Sequence, residues 1–160
     1  MSCTKHILPN SWCFWVIQIK NIKNEKKYEI EKVCDFSTIE EFWDCFLQLP
    51  KINQVNIGGI SLFKKGISPA WEDPKNEKGS SVQIPSTEWT PEKWEQLLVK
   101  IIGGSYENEV PNPPLCGVYG MNSMKNGFSV SLWYERGSVD LKATGEFFGY
   151  EPSLLRVKDH

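Results

Sequence analysis

The chain has 160 residues, a formal net charge of −2 and an isoelectric point near 5.8. That length suits one domain with a proper core, and the near-neutral charge argues against a protein that coats nucleic acid through its phosphates alone. No run of eighteen apolar residues is present, so no membrane-spanning helix is expected, and the first residues have neither the signal-peptide nor the transit-peptide pattern, which points to the cytosol or nucleus.

The chain opens with an extended pattern. Residues 11–20 are rich in aromatic and β-branched side chains, with Trp12, Phe14 and Val16 on one side of a pleat and Cys13, Trp15, Ile17 and Ile19 on the other. A polar, lysine-rich loop is expected over 21–27, and a second strand over 28–34 closes a hairpin, with Tyr28 where that strand leaves the loop. Residues 37–50 predict an amphipathic helix: Ser37 as N-cap, Glu40 completing a capping box, Ile39, Phe42, Trp43, Phe46 and Leu49 at helical spacing, and Pro50 beyond the end.

A strand is expected over 56–66 and a short one over 81–84, paired as a hairpin around the loop between them. That loop contains Ser-Pro-Ala-Trp-Glu-Asp-Pro-Lys-Asn (68–76), where Pro69 and Pro74 fix φ and remove donors, keeping Trp71 out of helix and central strand. Residues 90–104 predict a helix with Thr90 as N-cap, Pro91 at the first position, an apolar face of Trp94, Leu97, Leu98 and Ile101, and paired glycines at its end. Two strands follow between Cys116 and Tyr134 around Lys125-Asn126-Gly127, a strong hairpin signal. In the second, Phe128, Val130, Leu132 and Tyr134 share one face and Ser129, Ser131 and Trp133 the other. A weak helix over 138–151, broken by Gly145, and a last strand over 154–159 complete the chain. The sum is an α+β fold, an antiparallel sheet with helices on one face, formed as a single domain over 1–160.

Five scattered cysteines (Cys3, Cys13, Cys34, Cys45, Cys116), with no C-x-x-C pair, read as free thiols, mostly core filler. The seven tryptophans are the unusual feature, and most must be core. Trp71 on its loop, Tyr28 at a strand edge and Trp133 on a serine-lined face are the three that suit a stacking site for a flat, positively charged ring. Glu72 adds two acceptors that match adjacent N–H donors on a guanine edge. Each has a plainer reading too: Trp71 as a loop anchor, Glu72 and Asp73 as a solvated pair, Trp133 as core, Tyr28 as a strand-end aromatic.

The string SLFKKGISPAWEDPKN, with STIEEFW before it and WEQLLVKIIGG after it, resembles the messenger-RNA cap-binding family of eukaryotic translation initiation factor 4E, from His6 to about Trp133. The resemblance implies a cupped antiparallel sheet with helices on its convex back. It implies 7-methylguanine held between Trp71 and a second aromatic, assigned to Tyr28, with Glu72 on the base edge and Trp133 near the methyl group. Where the family grips the cap phosphates with arginines and lysines, this chain has mostly neutral residues; Lys125 and Lys78 are the assigned contacts, with Lys75, Arg156 and Lys158 as further cations, so weak phosphate contacts are expected. The resemblance also implies a dorsal surface of His6, Ile7, Ile39, Trp43, Glu95 and Gln96 for a Tyr-x-x-x-x-Leu-hydrophobic helix of scaffold factor 4G or inhibitory binding proteins. Glu95 stands where an apolar residue is usual.

A monomeric, cytoplasmic translation factor that binds capped mRNA follows from that resemblance; with two histidines near the chain ends, no Gly-x-Ser-x-Gly, no phosphate loop and no metal-spaced ligands, it is expected to be non-enzymatic and without a cofactor. Three readings stay open beside it: a divergent paralogue that binds cap weakly and regulates translation, an interaction module that has lost the nucleotide, and, behind these, a nucleotide hydrolase.

Overall fold

The computed structural model describes residues 6–49, 58–70, 73–84, 89–123 and 127–159. Among these residues, seven strands form one antiparallel sheet: β1 (Ile7–Ile22), β2 (Glu25–Thr38), β3 (Gly59–Lys64), β4 (Ser80–Ile84), β5 (Leu115–Ser123), β6 (Gly127–Tyr134) and β7 (Arg156–Asp159), in the spatial order β2-β1-β3-β5-β6-β4-β7. The helices are α1 (Ile39–Gln48), α2 (Pro91–Ile102), α3 (Ser105–Glu109) and α4 (Leu141–Phe148), with a 3₁₀ turn over Pro152–Leu154.

The alternation expected for β1 and β6 places Trp12, Phe14, Phe128, Val130, Leu132 and Tyr134 in the main core, where Phe42 and Cys45 of α1 and Trp94, Leu97, Leu98 and Ile101 of α2 close over them. The helices therefore cover one face of the sheet. Phe14, Phe36, Phe42 and Phe46 meet there with ring centroids 5.4–6.3 Å apart, spacings at which aromatic pairs add to the burial of their area.

Several local expectations are corrected. The lysine-rich stretch expected as a loop is strand almost throughout: Ile22 pairs with Glu25, and only Lys23 and Asn24 form the turn, both with positive φ (53° and 64°). A two-residue turn of that conformation matches the twist of the flanking strands, which lets both run past the polar residues. The cap of α1 is Thr38 and not Ser37, because Ser37 is still in β2 next to the Thr38–Ile7 pair. The Thr38 hydroxyl accepts from the Glu41 N–H at 3.1 Å and donates to the Glu41 carboxylate at 3.0 Å, so the capping box sits one residue later than expected.

β3 and β4 do not form a hairpin: β3 pairs with β1 and β5, β4 with β6 and β7, and the β5–β6 hairpin lies between them. Gly145 does not break α4. It is buried within the helix, where a Cβ would stand 2.6 Å from the Tyr150 carbonyl oxygen, so the missing side chain lets the following segment fold against the helix. Cys34 and Cys45 are joined as a disulfide between β2 and α1, against the expectation of free thiols; Cys13 and Cys116 are free and buried. Burial pushes the Cys13 and Cys116 thiols up to about 12, and Cys3 lies outside the described residues.

Candidate functional site

Strand register fixes what the other face of the sheet carries. Opposed residues form cross-strand rows: Lys158, Ser81, Trp133, Gly117 and Phe63 in one, and Arg156, Gln83, Ser131, Tyr119, Ser61 and Trp15 in the next. Ser129 faces Met121 in a third. These rows line a cavity of about 500 Å³, bounded by Ser81, Gln83, Tyr119, Met121, Ser129, Val130, Ser131, Trp133, Arg156 and Lys158.

Trp133 is the floor of this cavity, and it is also packed, at 9% exposure, as its plainer reading as a core residue expects. Phe63, Ile67, Cys116 and Trp133 make a second, smaller cluster with Trp15 and Tyr119 against it. The Trp133 indole stacks on Tyr119 (centroids 5.0 Å apart, planes 17° apart) and meets Phe63 edge to face at 5.4 Å. Gly117 makes the latter contact possible: it lies between Phe63 and Trp133 in the row, and a Cβ there would stand 2.4 Å from the Phe63 ring. The indole N–H of Trp133 donates to Ser131 Oγ at 3.2 Å, fixing the ring plane.

The loop after β3 is braced on both sides of Trp71-Glu72. Asp73 accepts from the Ser68 N–H (2.9 Å), the Ser68 hydroxyl (3.0 Å) and the Lys75 N–H (3.0 Å). Burial alone would raise the Asp73 carboxyl, but those hydrogen bonds outweigh it and hold the group below its ordinary value. Fully buried Asn76 donates to the carbonyls of Ser68 (2.9 Å) and Ala70 (2.8 Å), and the Asp73 N–H donates to Ala70 O at 3.0 Å. Asp73 is thus a structural acceptor and not half of a solvated pair.

The site residues named from the sequence divide into three groups. Trp71, Glu72 and Lys125 lie outside the described residues. Tyr28 is in β2 opposite Ile19, and its side chain lies outside what is described. Trp133 lines the cavity, whereas Lys78 is exposed on the loop before β4 and does not. Lys75 pairs with Glu135 at 3.3 Å. Tyr119, Gln83 and Met121 were missed: each stands on a strand of mixed pattern, and only the register shows that they share a face with Trp133.

The second surface is at the start of β1 and along α1. The Ile39 N–H donates to His6 O at 2.9 Å, and the Glu40 carboxylate takes the His6 N–H at 3.0 Å and meets His6 Nδ1 at 2.6 Å. His6, Ile7 and Ile39 are thereby brought together, with Ile7 82% and Ile39 40% exposed. Trp43 is partly buried, tilted on Phe42 and edge-on to Phe46. On α2, Glu95 is half-buried and Gln96 exposed, and Val99, one turn further on, adds an exposed apolar side chain that sequence reasoning did not name.

A curved antiparallel sheet with helices on its back and an aromatic, hydroxyl-lined cavity on its front defines a cupped α+β protein with a concave, open face. The chain matches the family described as eukaryotic initiation factor 4E over residues 7–146, and it belongs to that family. It is 30% identical to eukaryotic translation initiation factor 4E of Dictyostelium discoideum, over 96% of this chain and 61% of that protein, and 32% identical to the Candida albicans factor, over 89% and 71%. The chain thus spans about three fifths of the Dictyostelium relative. Among solved structures, schistosome eIF4E in complex with m7GpppG and 4E-BP aligns with a TM-score of 0.79 at 25% identity, covering 98% of this chain and 90% of that one. C. elegans eIF4E-3 with the 4E-binding protein Mextli and a cap analog aligns at 0.76 and 29%, covering 98% and 94%.

Proposed function

We propose that this chain, as a single domain over 1–160, binds the 7-methylguanosine cap of mRNA and recruits the message to translation initiation through its dorsal surface. The observation that carries the reading is the cavity floored by Trp133 and Tyr119 on the sheet's open face, in a chain whose fold matches solved relatives that hold cap ligands. Trp71 and Tyr28 clamp the methylated base, Trp133 stands near the methyl group, and Glu72 accepts from the base edge. Methylation gives the ring a delocalised positive charge, and its attraction to aromatic faces contributes ~2 kcal/mol when desolvated. The carboxylate contributes roughly 1.5–3 kcal/mol through charge-assisted bonds and discriminates against bases without the two donors.

The dorsal surface of His6, Ile7, Ile39, Trp43, Glu95 and Gln96 takes an amphipathic helix from scaffold factor 4G or an inhibitory binding protein, in the helix-in-groove mode. Glu95 favours partners with a basic or polar residue opposite it. Binding is the whole chemistry: the protein is not an enzyme, uses no cofactor, and works as a monomer in the cytoplasm, with access to the nucleus.

Tryptophan fluorescence quenching by 7-methyl-GTP and by GTP tests the base site. The methylated nucleotide is expected to bind at least ~10-fold tighter, with Trp71→Ala and Glu72→Gln each removing most of that preference. Equal affinity for the two nucleotides overturns the reading.

A further inference from the structure

The disulfide on the helix side of the sheet joins two elements at points where each is otherwise lightly held. Cys34 is in β2, an edge strand that pairs only with β1 and whose register shifts at Val33, immediately before the cysteine. Cys45 is in the second half of α1. The first turn of that helix is fixed by the Thr38 cap and by the hydrogen bond from Ile39 N–H to His6 O. Its last turn has no basic side chain to offset the helix dipole, and Leu47 there is exposed. The second half rests on the disulfide and on the aromatic packing beside it. Phe46 meets Phe14, the residue opposite Cys34, at 6.3 Å, and meets Trp43 edge to face at 5.9 Å. The covalent link thus runs parallel to the contacts that seat Trp43. Access to the two sulfurs differs, since Cys34 is half-buried and Cys45 buried. Cys13 and Cys116 are buried free thiols that burial holds protonated, so among the described cysteines this pair is the one fit for exchange.

In a cytoplasmic protein a disulfide is usually a transient or sensing bond and not a permanent staple. We propose that Cys34 and Cys45 form a reversible thiol switch on α1, driven by the cell's low-molecular-weight thiol and disulfide couple. Closed, it fixes the helix face that carries Ile39 and Trp43; open, it releases the second half of the helix from β2. The regulatory role rests on the dorsal-docking reading and its cytoplasmic placement. Opening is thiol–disulfide exchange: a glutathione thiolate attacks the more accessible Cys34 sulfur, a mixed disulfide forms there, and the Cys45 thiolate leaves and takes up a proton. A second glutathione thiolate then attacks the glutathione sulfur of the mixed disulfide, freeing Cys34 as a thiol and completing glutathione disulfide. Two electrons and two protons pass from two glutathiones to the protein, and closure is the reverse. A helix already held in its bound arrangement binds more tightly, because the cost of ordering it has been met before the partner arrives.

The test equilibrates the protein in glutathione buffers from reducing to oxidising and reads the pair by alkylation and mass spectrometry. Amide hydrogen exchange over 43–48 and the affinity of a Tyr-x-x-x-x-Leu-hydrophobic peptide are measured in both states and in Cys34→Ser/Cys45→Ser. The inference expects a single two-electron transition, with exchange over 43–48 roughly 10-fold faster and peptide binding roughly 3- to 10-fold weaker in the open form. The double variant is expected to behave as the open form at every glutathione ratio, and Cys45→Ser alone to collect glutathione on Cys34. Reduced wild type supplies the same comparison if the double variant folds poorly. A pair that never closes or never opens across the series overturns the inference, as does a redox response that persists in the double variant. If the pair switches but neither α1 exchange nor peptide affinity changes, the inference fails while the docking reading stands, since the peptide still binds. If the peptide binds neither state while α1 exchange follows the pair, the switch on α1 stands and the docking reading fails.

Discussion

Asn112 shows how one side chain ties distant segments together. Its amide donates to the Tyr106 hydroxyl and to Thr144 Oγ1, each at 2.8 Å, and its carbonyl accepts the Asp140 N–H at 2.6 Å. The Tyr106 and Tyr134 hydroxyls share a further hydrogen bond, so the network joins α3, β6 and the start of α4. Asn112→Ala leaves several of these groups unpaired and is expected to cost about 2–3 kcal/mol, read as a lower urea midpoint at unchanged slope. Glu40 is the residue-scale case for pH. The hydrogen bond from the His6 ring, with those from its own N–H and that of His6, lowers its carboxyl from 4.5 to about 2. A carboxyl lowered on folding stabilises above its unfolded value, and this contribution is lost as pH falls from 4.5 through about 2. A carbon-detected titration is expected to find Glu40 at the low end of that window and to find it moved upward in His6→Ala.

At the scale of elements, α1 and α4 illustrate opposite relations between propensity and context. The start of α1 follows local rules, displaced by one residue because β2 continues to Thr38. α4 passes through Gly145 because the neighbouring chain needs the space of a side chain. Gly145→Ala is a sharp test. Propensity alone expects a gain of about 1 kcal/mol, whereas the 2.6 Å approach of a Cβ to the Tyr150 carbonyl expects a loss of about 1–3 kcal/mol, and a lowered melting temperature decides for the latter. The loop after β3 follows the same logic: its prolines keep it irregular, but Asp73 and Asn76 determine its shape through bonds to Ser68 and Ala70.

For the whole molecule, the sheet separates two surfaces. Helices and the main core lie on one side, with Trp43 on α1; the smaller cluster of Phe63, Ile67, Cys116 and Trp133 supports the cavity on the other. Trp43 and the cavity floor lie on opposite sides of the sheet, so substitutions at the two should act largely independently. Trp43→Ala is expected to abolish binding of a Tyr-x-x-x-x-Leu-hydrophobic peptide and to leave 7-methyl-GTP affinity within about twofold of wild type, both measurable by calorimetry on one preparation. Equal peptide affinity in the variant would remove the dorsal assignment, and a large change in nucleotide affinity would show that the faces are coupled.

Sequence by itself determined the strand faces of β1 and β6, the helix α2 with its Thr90 cap, the α+β class and the family resemblance, because alternation, capping and turn chemistry are local and each residue carries its own evidence. Only the tertiary structure decided that β5 and β6 separate β3 from β4, that Gly117 lets Phe63 reach Trp133, and that Arg156 and Lys158 face the cavity across β4. Those facts depend on which strands pair and in what register. Strand pairing is set by the packing of the whole sheet on its helices, and no single segment contains it.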